Sequence, residues 1–588
     1  MILKTLFLNP LGPALILVLG GAVLAVLRRI ARRNAVLAQM IAGRPLGEPP
    51  KSRLDRVRLP LALLTVLLSV ALLLYLRTLS PRPTLAWTWQ PLTVAGSIFE
   101  WRLDAWNWVA AATILALVSV AALLGEAAAA PRHRLDMRGV DLERTLWLGA
   151  AALVFIASNN ILTLASTWLI FDAAIALRLH LDAGDVSTAS TRPTTQASGR
   201  AWSALTVSGA LILILLASLG ETGIRAGLTA ARLTELQIAL LWIAALVRAG
   251  VYPFHIWLSG GKGVSQANWL PVQLIGAAAG LWLLGRVHAL AGPGFLRQPE
   301  WVALSALALL GTAIVAWTAE DGKERWRWIA LNRASLAVMA AYTAAAPGPE
   351  ALVWSLVTFS LGCSLLAAGQ AARELLGWRA PAYLAALALW GMPATIGFLA
   401  RRVLVFPTES AVAAPLFAVV ILAEVLLVAA LWQAVTADYP REAPTETPGR
   451  RRLLIIGVAV VILVVPLIGF GLFPRPLATL AGWPRTDNQA GLLAAIRETR
   501  RSVWIGLLLA GAGGITLGVY RERLLGQVRG WQAGIATIAR LEWFYAGMAA
   551  GMRLAGSALR YFATLGEGEG YLGWLALAAF VLWVLLRG

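Results

Sequence analysis

Long apolar runs follow one another along most of the chain, and short charged stretches separate them. A helix of about 20 apolar residues crosses a bilayer core about 30 Å thick, and most of these runs approach that length. Because a helix satisfies its own backbone hydrogen bonds in hydrocarbon, the pattern predicts an all-α polytopic membrane protein with about 14–16 transmembrane helices. The predicted spans are roughly 10–28, 59–77, 104–125, 145–159, 160–180, 202–219, 235–258, 267–289, 300–318, 327–346, 351–372, 381–404, 412–436, 453–473, 501–520 and 571–587.

The charged stretches between the runs predict the orientation. Segment 28–58 is dense in arginine and includes "KSRLDRVR", so we expect it in the cytoplasm and the N-terminus outside. The first apolar run is followed by "RRIARR" without a small-residue cleavage site, which favours a retained helix over a signal peptide. The expected location is the inner (cytoplasmic) membrane of a prokaryote, with many passes through the lipid bilayer.

Composition supports this interpretation and narrows the chemistry. The chain is 59% hydrophobic and 14% charged, and its net charge of +20 resides largely in short loops, where the positive-inside rule places basic residues. We therefore expect no nucleic-acid partner. Cys363 is the single cysteine, so the chain cannot hold an iron–sulfur cluster through cysteine ligands alone. No cofactor, metal or catalytic centre is expected in this chain, and any redox chemistry would belong to another subunit.

Charged residues inside membrane spans are costly, so they are the first candidates for function. Such residues in the predicted spans are Asp172, Arg248, Arg333, Arg401, Arg402 and Glu424. For each of them the ordinary alternative is an ion pair or a side chain that reaches the interface. Arg248 and Arg401 are the stronger candidates, because Gly250 and Pro253 follow the first, and Pro393 and Gly397 precede the second. Helix breakers at these places predict interrupted helices beside a polar site.

Several motifs surround these breaks. Residues 247–286 read "VRAGVYPFHIWLSGGKGVSQANWLPVQLIGAAAGLWLLGR" and contain Pro253, His255 and Trp257. Four further stretches are "RLDAWN" with Asp104, "NNILTLASTW" ending at Trp168, "EDGKERWRWIALNRAS" and "GMPATIGFLAR". In this order they resemble the antiporter-like membrane subunits of respiratory complex I, Mrp antiporters and membrane-bound hydrogenases. The resemblance covers most of the chain from about residue 100 onward, and the tail "GEGEGYLGW" looks similar to some branches of the family.

The resemblance implies two inverted repeats and proton or cation conduction along a row of buried titratable groups. At the two lysine positions beside the helix breaks, this chain has Arg248 and Arg401. Leu169 takes the place of the fifth-helix glutamate, with Asp172 about one turn further on. The eighth- and eleventh-helix positions fall on Val272, Gln273 or Gly276, and on Leu361. The row therefore departs from the family at nearly every position.

Arginine stays protonated where a buried lysine can release its proton. Arg248 and Arg401 are therefore expected to be fixed charges, and the candidate ion-pathway residues are these two with Asp172 and Glu424. The predicted divisions are 1–100 for N-terminal helices and a basic loop, 101–290 and 291–475 for the two antiporter-like halves, and 476–588 for C-terminal helices with an amphipathic lateral segment.

Two functional hypotheses remain open at this stage. The first is a membrane-arm subunit of a complex I-like NADH/quinone or related energy-converting complex, assembled with other membrane subunits, in which proton translocation is lost or altered. The second is an Mrp-type cation/proton antiporter subunit or the membrane component of an inorganic-carbon uptake complex, in which fixed arginines bind an anion. A structural scaffold, with its arginines paired to Asp172 and Glu424, is the limiting case of the first.

Overall fold

The structure is a computed structural model, and nearly all of the residues it describes are helical. It describes residues 7–41, 53–89, 97–128, 142–184, 191–220, 223–224, 226–228, 231–255, 266–296, 299–343, 350–402, 413–437, 450–480 and 491–566. The first elements are α1 (Gly12–Ile41), α2 (Arg53–Thr78), β1 (Thr84–Trp89), β2 (Ser97–Arg102), α3 (Ala105–Ala128), α4 (Leu142–Ile156), α5 (Ile161–Gly184), α6 (Thr191–Ser218), α7 (Glu235–Ala249) and α8 (Gln266–Leu296).

The chain continues through twelve further helical segments. They are α9 (Pro299–Thr318), α10 (Gly322–Thr343), α11 (Glu350–Leu376), α12 (Ala380–Trp390), α13 (Ile396–Arg402), α14 (Ala413–Thr436), α15 (Arg450–Leu472), α16 (Pro474–Leu480), α17 (Leu492–Arg497), α18 (Arg501–Val519), α19 (Arg521–Ala539) and α20 (Glu542–Gly566). These residues form two compact units, Met1–Gly526 and Gln527–Gly588. Within the second unit α20 is amphipathic, and Trp543 and Leu554 are among its exposed apolar residues.

Ten helices in the described part of the chain are long and apolar enough to cross a membrane, namely α1, α2, α3, α5, α8, α9, α11, α14, α15 and α18. Other predicted spans coincide with the shorter or more polar helices α4, α6, α7, α10 and α12. The predicted final span, 571–587, lies outside the described residues. The all-α polytopic membrane fold is thus confirmed, and the chain is an integral membrane protein.

Burial differs strongly among the spans of the first unit. The apolar stretch of α11 is wholly buried, and those of α3 and α8 are mostly buried, so these helices form the centre of the unit. Helices α1, α15 and α18 expose most of their apolar stretches instead, as expected where a helix faces lipid or a neighbouring membrane protein. The functional candidates are carried by helices that pack around the buried centre.

A β-hairpin before α3 was not anticipated from the sequence. Strands β1 and β2 pair antiparallel, with Trp87 opposite Phe99 and their rings stacked at 5.8 Å between centroids. The backbone N–H of Arg102 donates to the carbonyl of Ala157 at 2.8 Å, which ties the hairpin to the connection between α4 and α5. The alternating sequences "TLAWTW" and "SIFEWR" carry the period-two signal of strands.

The first predicted helix interruption is confirmed, and a glycine ends the helix. Gly250 caps α7 with φ 63°, a left-handed conformation that favours glycine. Its N–H donates to the carbonyl of Val247 at 3.1 Å, and the N–H of Val251 donates to that of Leu246 at 3.2 Å. This pair of bonds is a Schellman motif, which satisfies two carbonyls at the helix end. Pro253 follows the break and does not produce it.

The second interruption has the same construction. Helix α12 ends at Trp390, and Gly391 has φ 85°. The N–H of Gly391 donates to Ala388 at 3.1 Å, and that of Met392 donates to Leu387 at 3.0 Å, which is again a Schellman motif. The chain resumes as a helix at α13.

Pro393 and Gly397, which the sequence places at this second interruption, both follow the cap at Gly391. Pro393 lies beyond the cap and has no part in its hydrogen bonds. Gly397 is inside α13, where a Cβ atom would collide with the carbonyl oxygen of Ala388. Its role is to let the two halves of the interrupted helix approach closely. The sequence predicted an interruption near Gly397 and Arg401, and the structure places its left-handed cap at Gly391.

We expect Gly391→Ala to lower the melting temperature of the purified protein. A non-glycine residue in the left-handed region costs about 1–2 kcal/mol, and an added Cβ would lie 2.6 Å from Cδ of Arg401. Gly457→Ala in α15 is the matched control, because nothing lies within 4 Å of its Cβ position. Equal melting temperatures for the two variants would contradict the proposed role of Gly391.

Candidate functional site

The first ionic cluster joins α5 to the end of α7. Arg248, in the last turn of α7, is fully buried, and its Nη2 forms an ion pair with Oδ1 of Asp172 on α5. Asp172 is also buried. A charge in such a position needs a partner, because transfer from water to a low-dielectric interior is costly. The two leading candidates of the first half thus form one neutral pair.

Aromatic rings surround the guanidinium group of this pair. Its central carbon lies 4.5 Å from the ring centroid of Trp168, 4.9 Å from that of Phe171 and 5.6 Å from that of Phe155. The Nε and Nη1 atoms of Arg248 have no hydrogen-bond partner among the described residues. The ring faces therefore supply cation–π stabilisation where polar acceptors do not.

Helix α8 closes this site through a tight backbone contact. A Cβ atom at Gly280 would lie 2.5 Å from Cα of Ala249 and 2.7 Å from the carbonyl carbon of Arg248. Only a glycine permits this approach, so the end of α7 is held directly against α8. The arginine beside the first break is fixed in position as well as in charge.

The second ionic cluster, the Glu424 cluster, contains two arginines and one carboxylate. Glu424 on α14 is 2% exposed. Its Oε1 accepts a hydrogen bond from Nη2 of Arg333 at 2.5 Å, and its Oε2 accepts one from Nη2 of Arg401. Arg333 lies on α10 and Arg401 on α13. The cluster therefore joins three helices and carries one excess positive charge.

Arg333 also forms a hydrogen bond with the end of the interrupted helix α12. Its Nη1 donates to the carbonyl of Leu389 at 3.0 Å, one of the last carbonyls of α12, which have no partner within the helix. Its Nη2 donates to Oδ1 of Asn332 at 2.7 Å, and the Asn332 amide donates to the carbonyl of Leu309 at 2.8 Å. The helix end and the Glu424 cluster are consequently one hydrogen-bonded network.

Two small cavities flank Arg401. The inner cavity, of about 10 Å³, is lined by Arg333, Leu336, Ser355, Thr358, Phe359, Leu389, Gly397, Ala400 and Arg401. The outer cavity, of about 40 Å³, is lined by Leu336, Arg401, Phe417, Val420, Ile421, Glu424, Ser502, Val503 and Gly506. Since a buried water needs at least about 10–15 Å³, each has room for a particle of that size.

A third cluster lies at the start of α3. Oδ1 of Asp104 accepts a hydrogen bond from the backbone N–H of Asn107 at 2.9 Å, and its Oδ2 pairs with Arg286 of α8. The Asn107 side chain accepts hydrogen bonds from Arg286 at 2.5 Å and from Trp282 at 2.8 Å. Asp104, predicted as a structural motif residue, thus caps α3 and fixes it to α8.

The remaining predicted residues lie apart from the ionic clusters or outside the described residues. His255 is buried, with its ring centroid 5.2 Å from that of Tyr252 and 4.9 Å from that of Trp328. Trp257 lies outside the described residues. Gln273 and Leu361, at positions where the resemblance implies titratable groups, are buried.

Sequence reasoning missed several residues of these clusters. They are Phe155 and Phe171 around Arg248, and Arg286 beside Asp104. Phe171 lies three residues after Trp168 on α5, a spacing that places both on one helix face. No group of three or more histidine, cysteine or acidic residues that could hold a metal ion occurs in the part of the chain that the structure describes.

The fold, with two helices interrupted beside buried ionic clusters, is similar to that of chains from three solved membrane complexes. A chain of the Mrp complex from Dietzia sp. DQ12-45-1b matches 97% of this chain with a TM-score of 0.69 and 17% identity, and the match spans 62% of that chain. A chain of respiratory complex I from Thermus thermophilus with bound NADH matches 87% of this chain and is wholly covered, with a TM-score of 0.57 and 19% identity.

A third similar structure belongs to the membrane-bound sulfane sulfur reductase, an archaeal respiratory membrane complex. It matches 98% of this chain and is covered over 99% of its own length, with a TM-score of 0.69 and 16% identity. No protein-family model matches the sequence, and no curated protein matches it. At identities below 20%, these similarities show a shared fold.

We expect Asp172→Leu to destabilise the protein by about 3–5 kcal/mol, because it leaves the charge of Arg248 buried without a counter-charge. Combining it with Arg248→Met should recover most of the loss, since an apolar pair of similar volume replaces a buried ion pair at little cost. Thermal unfolding of the purified protein measures both.

The control for this pair is a more exposed ion pair. Arg451 and Glu126 are 3.1 Å apart, and the Arg451 side chain is 54% exposed. Glu126→Gln should change stability by less than about 1 kcal/mol. A wild-type melting temperature for Asp172→Leu alone would show that Asp172 does not neutralise Arg248.

Proposed function

We propose that this chain is an antiporter-like membrane-arm subunit of a complex I-like NADH/quinone or related energy-converting complex, with proton translocation through the chain lost or altered. The observation that carries the proposal is the pairing of each interrupted helix with a buried arginine–carboxylate cluster, Arg248 with Asp172 and Arg401 with Glu424. Interrupted helices beside buried charges are typical of ion-handling membrane proteins.

The similar solved structures support membership of a larger assembly. They come from an Mrp complex, from respiratory complex I and from an archaeal respiratory membrane complex. The proposed partners are accordingly other membrane subunits and the lipid bilayer. Any oxidoreductase reaction would take place in those partners, and the proposed location is the inner membrane of a prokaryote with the N-terminus outside.

The chemistry of the clusters argues against an ordinary proton relay. A relay needs groups that gain and lose protons near working pH, and arginine does not release its proton there. Asp172 would have to part from Arg248, and Glu424 from two arginines, before either could carry a proton. Gln273 and Leu361, at positions where the resemblance implies titratable groups, cannot titrate. Because these ion pairs are fixed, they favour a subunit whose buried charges stay where they are over one that passes protons along a relay.

A second candidate function is that of an Mrp-type cation/proton antiporter subunit or the membrane component of an inorganic-carbon uptake complex. The excess positive charge of the Glu424 cluster, in which Arg333 and Arg401 share one carboxylate, favours an anion-handling role. Neighbouring genes discriminate between the two proposals. Genes for quinone-binding and iron–sulfur subunits support the first, and a gene for one large soluble zinc protein supports the second.

Proteoliposomes test whether the chain conducts protons. Under an imposed membrane potential, we expect wild-type uptake close to that of empty liposomes, because both arginines are fixed charges. Arg248→Lys should raise uptake if a releasable proton is what the pathway lacks, and the same substitution combined with Asp172→Asn should abolish the gain. Robust wild-type conduction that survives both Arg248→Ala and Asp172→Asn would contradict our placement of the pathway.

Mild detergent extraction from the native membrane tests assembly. We expect the chain to elute with other membrane proteins in a particle much larger than its own 62.7 kDa, and mass spectrometry should identify quinone-binding or iron–sulfur subunits among them. Elution as a monomer without partners, under conditions that keep a known membrane complex intact, would count against the complex-subunit proposal.

A further inference from the structure

The two interrupted helices differ in charge balance. Arg248 meets one carboxylate, Asp172, so the first cluster is neutral. Arg333 and Arg401 share the single carboxylate of Glu424, so the second cluster keeps one positive charge. Among the described residues no other carboxylate pairs with either arginine. An uncompensated buried charge is strongly unfavourable, so the second cluster needs a further negative partner.

Hydrogen-bond donors without acceptors converge where that partner would lie. Nε of Arg401, Oγ of Ser355 and Oγ1 of Thr358 are buried without a hydrogen-bond partner among the described residues. These residues are 8%, 5% and 6% exposed, respectively, and all three line the inner cavity. Arg333 lines the same cavity from the side of α10. The lining thus combines two guanidinium groups with two hydroxyl groups that can donate.

We propose that the inner cavity binds one monatomic anion of the size of chloride. An anion only accepts hydrogen bonds, and the lining offers two arginines and two hydroxyl groups as donors. The volume of about 10 Å³ is near the lower limit for a single water molecule, so the cavity holds at most one monatomic particle, whereas carbonate, nitrate and phosphate have four or more heavy atoms. The bound anion neutralises the cluster and joins α11 to α10 and α13.

This inference does not rest on the proposed function, because the anion is bound as a resident counter-charge whether or not the chain transports anything. The outer cavity is a poorer site. Its lining includes the carboxylate of Glu424, which repels an anion, and most of its other residues are apolar. Of the two cavities beside Arg401, the inner one combines the positive charge, the donors and the small volume.

Equilibrium dialysis of the purified full chain against radiolabelled chloride tests the proposal, with gluconate to hold ionic strength constant. We expect saturable binding of one chloride per chain. Ser355→Ala combined with Thr358→Val should weaken binding at least tenfold. Ser360→Ala is the matched control on the same helix: Oγ of Ser360 is also buried without a partner, but Ser360 does not line the cavity. It should bind chloride as the wild type does.

Arg401→Gln provides a second test that does not depend on the hydroxyl groups. It leaves Arg333 and Glu424 as a neutral pair, so the fold should persist while chloride binding is lost. Size-exclusion profiles confirm folding for each variant. The proposal is overturned if the folded wild type binds no chloride saturably, if Ser360→Ala and the double variant weaken binding equally, or if bicarbonate or nitrate binds the same site more tightly.

Discussion

Buried charge inside a membrane protein must be neutralised where it lies, and this constraint organises the surroundings of both helix interruptions in the first unit. Arg248 is held between Asp172 and aromatic ring faces, while Arg401 shares Glu424 with Arg333. Each arginine stands next to a helix interruption, where backbone carbonyls also need partners. In both the ionic clusters and the interruptions, buried polar groups therefore find partners within the protein because water is absent.

The interruptions are built by glycine caps, and the caps connect to the clusters. Gly250 and Gly391 each form a Schellman motif that satisfies two carbonyls and leaves others free. At the second break Arg333 binds the carbonyl of Leu389, so moving the helix end would also disturb Glu424. At the first break Gly280 holds α8 against the end of α7. Both helix ends are therefore attached directly to a neighbouring helix.

The sequence predicted the polytopic fold and both interruptions, because apolar length and helix breakers are local signals. It offered the pairing of the arginines with Asp172 and Glu424 as a limiting case, but it did not predict which arginine meets which carboxylate. Arg333 and Glu424 are 91 residues apart, and helical periodicity within one span says nothing about its neighbours. The contact of Phe155 with Arg248 could not be predicted for the same reason, since Phe155 lies on another helix. The hairpin was missed because two six-residue strands between spans give a weak signal beside runs of 20 apolar residues.

The two ionic clusters differ in charge balance and in the space around them. The first cluster is neutral and enclosed by aromatic rings. The second has an excess positive charge, two adjoining cavities and an arginine that lines both of them. Movement of the Arg401 side chain would change the contacts of Glu424 and the connection between the cavities together. Arg401 therefore connects the Glu424 cluster with both cavities, while Arg248 connects α7 with α5 through Asp172.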